Sequence, residues 1–247
     1  MMLVPLLRRA FAEALGTGLL VTVVVGSGIA AASLSRGDVG LQLLENSFAT
    51  ALGLAVLILM LGPVSGAHFN PVVSAVDWWL GRRTGAGLTL EDLATYVPAQ
   101  IVGGIGGAIL ANLMYGESAV SWSSTARSSG HLYLGEIVAT AGLILLIFAL
   151  AASGRSQVAP LAVGAYIGAA YWFTSSTSFA NPAVTIGRAF SDTFAGIAPS
   201  SVPGFIAFQL IGAVVGIGLL ALLYPTAGRA ADDVVTPHTD TTAGATS

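Results

Sequence analysis

Charged residues divide this chain at intervals that suit a lipid bilayer. Between Arg9 and Arg36 the only charge is Glu13, and between Arg127 and Arg155 the only one is Glu136. No charge at all falls between Glu45 and Asp77, Asp92 and Glu117, Arg155 and Arg188, or Asp192 and Arg229. A helix rises about 1.5 Å per residue and needs roughly 20 apolar residues to cross the hydrocarbon core. The pattern predicts six spans, at about 11–34, 46–64, 95–115, 132–152, 158–176 and 202–224. The second and fifth stretches are too long for one helix each. Each leaves a remainder after a Gly/Ser/Thr-rich break, at 65–79 and 177–190. These remainders are too short to span and read as re-entrant half-helices. Such backbone is tolerated at membrane depth only where protein or a water-filled cavity satisfies it.

A repeat underlies the pattern. Glu13 is followed four residues later by Thr17, and Glu136 four residues later by Thr140. Gln100 is followed by Gly103, Gly107 and Tyr115, and Gln209 by Gly212, Gly216 and Tyr224 at the same offsets. Between these pairs lie His68-Phe69-Asn70-Pro71-Val72-Val73 and Phe179-Ala180-Asn181-Pro182-Ala183-Val184. Each half holds three spans and one half-helix. Three is odd, so the second half enters the membrane upside down, an inverted repeat about an axis in the membrane plane. The expected fold is an all-α membrane protein of six transmembrane helices and two re-entrant half-helices. The repeats cover about 8–115 and 131–224 of a channel domain over 1–225. The Thr/Ala/Asp-rich residues 226–247 read as a disordered cytoplasmic tail.

Composition narrows the classes of function. Hydrophobic residues make up 55% of the 247 and charged residues 9%, with a mean hydropathy of +0.83. A soluble domain carries about 25% charged residues, so lipid must cover much of this surface. A net charge of −3 argues against a nucleic-acid partner. There is no cysteine, which excludes disulfides, thiol catalysis and Cys-based metal sites. No cofactor or metal pattern is evident, and no Ser/His pairing suggests an intramembrane enzyme. Arg8 and Arg9 precede an apolar run long enough to span with no convincing cleavage site after it, so the run reads as the first helix rather than a signal peptide. Placing both termini in the cytoplasm puts Arg8, Arg9, Arg82, Arg83, Arg155 and Arg229 inside and Arg36, Arg127 and Arg188 outside. That six-to-three bias predicts the orientation in a cell membrane.

The two Asn-Pro motifs, Ser65-Gly66-Ala67-His68-Phe69-Asn70-Pro71 and Asn181-Pro182-Ala183, together with Glu13 and Glu136, make the chain resemble the major intrinsic protein family, the aquaporins and aquaglyceroporins. The resemblance runs from about residue 8 to 225. It implies passive conduction of small neutral solutes (water, glycerol-like polyols, undissociated metalloid hydroxides such as arsenous acid) by a homotetramer in a lipid bilayer. Asn70 and Asn181 cap half-helices whose prolines, Pro71 and Pro182, suit the first turn. Their N-termini meet near the midplane, each with a partial positive charge and a donating amide. Glu13, Glu136, Gln100 and Gln209 are expected to brace the re-entrant loops. Asp77 and Arg188 each lie seven residues after their Asn. Arg188 reads either as a charge at the outer mouth or as an arginine snorkelling at the interface.

Two departures from the family pattern stand out. Val72 replaces the usual Ala of the first motif. Val184 stands where the family usually has Arg, the cationic part of its narrow outer filter. By offset from the asparagines in relatives, the filter here comprises Thr50, Ser178, Val184 and a residue of the fifth span, either Ala169 or Tyr171. A filter of that kind is wider and uncharged, and some bacterial relatives linked with arsenic resistance are similar in lacking the Arg. A secondary active transporter, which also uses inverted repeats with half-helices, is the competing expectation.

Overall fold

The computed structural model describes residues 4–82 and 84–225, so the polar tail expected at 226–247 lies outside the described residues. Eight α-helices are found there: α1 Leu6–Leu34, α2 Val39–Ser65, α3 Pro71–Gly81, α4 Leu90–Met114, α5 Gly130–Ala152, α6 Ala159–Phe173, α7 Pro182–Arg188 and α8 Val202–Leu223. Helices α1, α2, α4, α5 and the segment Pro199–Leu223 are each long and apolar enough to cross a membrane. The remaining span, the fifth in chain order, is α6, which has 15 residues and is preceded by the 3-10 turn Ser156–Val158. The short helices α3 and α7 are the two half-helices.

Local chemistry sets the ends of these elements. Helix α2 stops at Gly66, which takes the left-handed conformation (φ 87°) while its N–H bonds to the Gly62 carbonyl. Glycine adopts that conformation without a Cβ clash. Helix α4 begins at a reciprocal cap in which Asp92 N–H donates to Thr89 Oγ1 and Thr89 N–H donates to the Asp92 carboxylate. Asp92 also pairs with Arg9 at 2.6 Å, tying the start of α1 to the start of α4.

The repeat visible in the sequence recurs in the packing. Helix α1 lies closely along α4, and α5 along α8. A Cβ on Gly103 would sit 2.0 Å from the Ala14 carbonyl oxygen, and one on Gly107 2.0 Å from the Gly18 oxygen. The second pair repeats the device, with Gly212 facing the Ile137 carbonyl and Gly216 the Ala141 carbonyl. Small residues let membrane helices approach until their backbones touch. Apolar side chains left exposed on the helices include Phe11, Phe48, Val56, Val102, Val214 and Leu222. Such an apolar exterior suits lipid rather than water.

Candidate functional site

Each half-helix is capped by its own asparagine. Asn70 Oδ1 accepts from Val72 N–H at 3.0 Å, and Asn181 Oδ1 accepts from Ala183 N–H at 3.0 Å and Val184 N–H at 3.2 Å. Pro71 and Pro182 fill the first helical positions, where a missing N–H leaves nothing unpaired. The two caps then lock onto each other. Asn70 Nδ2 donates to the Ala180 carbonyl at 2.8 Å, and Asn181 Nδ2 donates to the Phe69 carbonyl at 2.7 Å. An amide carries two N–H hydrogens, so each asparagine keeps one beyond this mutual clasp. Both asparagines line a common cavity.

The loops leading into the clasp are bent in the same way. Gly66, Ala67 and Phe69 have positive φ, and so do Thr177, Ser178 and Ala180, the residues at matching distances from Asn181. A non-glycine residue held there costs about 1–3 kcal/mol, so something must hold these loops. Buried glutamates supply it. Glu13 accepts from Ser65 Oγ, His68 N–H, Phe69 N–H and Gln100 Nε2 at 2.6, 3.0, 2.7 and 2.8 Å. Glu136 accepts from Phe179 N–H, Ala180 N–H and Gln209 Nε2 at 2.9, 2.9 and 2.6 Å. Each glutamine also donates into its half-helix, Gln100 to Ser74 Oγ and Gln209 to Thr185 Oγ1. Neither glutamate lines the cavity.

Ser74 and Thr185 therefore belong to the site, and they did not figure among the sequence candidates. The signal was present, since each hydroxyl residue stands four positions after its asparagine. Tyr96 was also missed. Its hydroxyl donates to the Ser65 carbonyl at 2.8 Å and helps fix the first loop. Val72 and Ala183 are fully packed under their half-helices and away from the cavity.

Most of the cavity lining is apolar, with Leu20, Val24, Leu54, Ile58, Val73, Leu143, Ile147, Val163 and Ile167 contributed by helices of both repeats. The polar side chains in the lining include those of His68, Asn70, Asn181, Ser178, Thr50 and Tyr171. Thr50 Oγ1 and the Tyr171 hydroxyl lie 3.2 Å apart. Val184 is part of the lining, and so is Arg188. Of the two candidates on the fifth span, Tyr171 lines the cavity. Ala169 is a correction to the sequence reading: it is exposed on the outer side of α6 and does not reach the lumen. The snorkelling alternative for Arg188 also gives way, because the side chain is only 2% exposed.

Comparisons with known proteins agree with this architecture. The major intrinsic protein family matches residues 1–180. Aquaglyceroporin AqpS of Rhizobium meliloti (strain 1021) is 50% identical over 218 residues, covering 88% of this chain and 91% of its own. A glycerol uptake facilitator protein of Pseudomonas aeruginosa is 30% identical, covering 92% of this chain and 94% of its own. The X-ray structure of the aquaglyceroporin from Plasmodium falciparum superposes with a TM-score of 0.62 at 19% identity, over 89% of this chain and 97% of that one, which supports the fold. With its paired Asn-Pro half-helices and two inverted three-span halves, this multi-pass membrane protein belongs to the major intrinsic protein family, whose members are channels and not enzymes.

Proposed function

We propose that this protein is a passive channel for water and glycerol-sized polyols, and that it also passes undissociated metalloid hydroxides such as arsenous acid. The kinship to an aquaglyceroporin and a glycerol uptake facilitator supports the polyol part. The observation that carries the wider solute range is Val184 in the cavity wall. Where the family pattern has a long cationic side chain, this chain has three carbons, so the outer passage keeps space and lacks a charge at that level. A mostly apolar lining with a small number of polar groups fits a solute that carries both carbon and hydroxyls.

Conduction follows from the clasp. A solute oxygen reaching the centre meets the remaining amide hydrogens of Asn70 and Asn181, while both half-helix N-termini disfavour a cation there. A central water accepting from both amides is poorly placed to pass a proton on. The channel assembles as a homotetramer with both termini in the cytoplasm, as the arginine bias and the family suggest.

The transporter alternative usually places an acidic residue at the central solute site, and no carboxylate lines this cavity among the described residues. The two buried glutamates within the spans are held instead by loop N–H groups behind the cavity. Liposomes carrying the wild type or Val184→Arg, tested by swelling in water, glycerol and arsenous acid, decide the filter argument. The reading expects the wild type to pass all three and the variant to restrict the two larger solutes. A wild type that passes water alone, with the variant unchanged, defeats it.

A further inference from the structure

The cavity lining includes a cation that the clasp and the glutamate braces do not use. Arg188 closes α7 at the place where Asp77 stands in the other repeat. Its guanidinium carbon lies 3.4 Å from the centre of the Phe179 ring, and Arg127 approaches the same ring at 5.2 Å. Arg188 Nε donates to the Ala195 carbonyl. Among the described residues, no carboxylate forms an ion pair with Arg188, and no protein acceptor meets its two terminal nitrogens. A guanidinium 2% exposed and without a carboxylate in contact is costly unless something polar reaches it. The cavity it lines offers a direction from which that partner can come.

A second orphan belongs to the same lining. Ser178 Oγ is buried, lines the cavity and has no hydrogen-bond partner among the described residues. Its backbone is held in the left-handed region at φ 50°. The hydroxyl is thus fixed in place and still free to bond. The two orphans belong to one structural unit, since Ser178 immediately precedes the ring on which Arg188 rests.

We propose that Arg188 and Ser178 form an outer recognition site for the oxygen atoms of a passing hydroxylated solute. Arg188 then acts as a filter cation relocated one helical turn outward. Arg188 lies four positions after Val184 on α7, about 6 Å along the axis. The passage is left wide at Val184 and regains a donor fork beyond it. Arg supplies several N–H groups in a rigid plane, which suits a solute offering two or more oxygens. A solute that sheds water against the apolar lining exchanges those hydrogen bonds for this fork and the serine hydroxyl. Water, with one oxygen, gains less from the fork than a polyol does. The site therefore sets solute preference, and its role rests on the channel reading given above.

The test compares wild type, Ser178→Ala, Arg188→Lys and Arg188→Gln in proteoliposomes, with glycerol and water permeability measured on the same vesicles. Ser178→Ala is expected to lower the glycerol-to-water ratio about three- to tenfold, the worth of one neutral hydrogen bond. Arg188→Gln is expected to lower it tenfold or more, since the lost bonds are charge-assisted. Arg188→Lys falls between, because it keeps the charge and loses the fork. An unchanged or increased ratio overturns the site, as does an equal fall in both permeabilities, which would mark a packing role only. Ser178→Ala decides alone if Arg188→Gln fails to fold, and Ala67 already holds the same conformation at the matching place in the first repeat. A wild type that passes no glycerol overturns the channel reading itself. A wild type that does, with variants of unchanged ratio, overturns only this site.

Discussion

Replacing Glu136 by Ala tests whether the carboxylates hold the pore loops. Glu136 is fully buried and accepts from Phe179 N–H and Ala180 N–H, both at 2.9 Å. Its loss strands two buried backbone donors. Each unsatisfied donor costs about 1–3 kcal/mol, so the pair costs roughly 2–6 kcal/mol. Gln209 loses one acceptor as well but keeps Thr185 Oγ1 at 2.9 Å. The loop it holds contains Thr177, Ser178 and Ala180 at positive φ. That strain is then free to relax, and it carries Asn181 away from the Phe69 carbonyl. The expected outcome is a large drop in thermal stability in detergent, measured by intrinsic fluorescence, together with loss of water permeability in vesicles. Thr140→Val is the control. Thr140 is equally buried, four residues along the same helix, and its hydroxyl has no partner among the described residues, so its removal should not lower stability and should raise it by up to about 1–3 kcal/mol. Glu136→Ala melting with the wild type and still conducting would refute the bracing argument.

Other perturbations follow from the same geometry. Gly107→Val pushes a side chain into the Gly18 carbonyl, 2.0 Å from the added Cβ; it should separate α1 from α4 and abolish recovery of folded protein on size-exclusion chromatography. Gly106→Ala meets nothing within 4 Å and should be neutral or stabilising by up to about 1 kcal/mol in the same detergent melt. Asn181→Asp keeps the helix cap but removes the donor to Phe69 and adds a negative charge beside the lumen; vesicles should retain water flux and leak potassium, and tight vesicles would count against cation exclusion at the clasp. Thr89→Ala removes one half of the α4 cap and should cost about 1 kcal/mol in thermal stability with permeability intact.

Much of this architecture was legible in the chain because membrane burial forces a simple code. Buried polar side chains in a span need partners, and the resemblance to the family gave the matched Glu13/Glu136 and Gln100/Gln209 pairs the role of bracing the loops. Helix ends were less legible. Charge positions placed the start of the second span near 46, yet α2 begins at Val39. Glu45 is accommodated because Ser35 Oγ donates to it at 2.6 Å. The third span starts earlier for a similar reason, since Asp92 serves as part of a cap. The choice between Ala169 and Tyr171 could not be made from spacing. Two residues on a helix differ by about 200° around its axis, so a two-residue uncertainty in the length of the preceding segment reverses the face. Arg188 was ambiguous because α7 has only seven residues and ends in a loop. Whether an arginine there turns outward or inward depends on Phe179 and Ala195, which the fold brings to it from either side.

Stopped-flow light scattering of vesicles under a glycerol gradient tests the passive-channel claim most directly. After the first water-driven shrinkage, vesicles carrying the protein should re-swell much faster than empty ones. The re-swelling rate should rise in proportion to the glycerol gradient and stay unchanged when sodium and proton gradients are collapsed. A rate that saturates and disappears with an ion gradient would make this protein a carrier, and re-swelling no faster than in empty vesicles would leave it without the solute pathway assigned to its cavity.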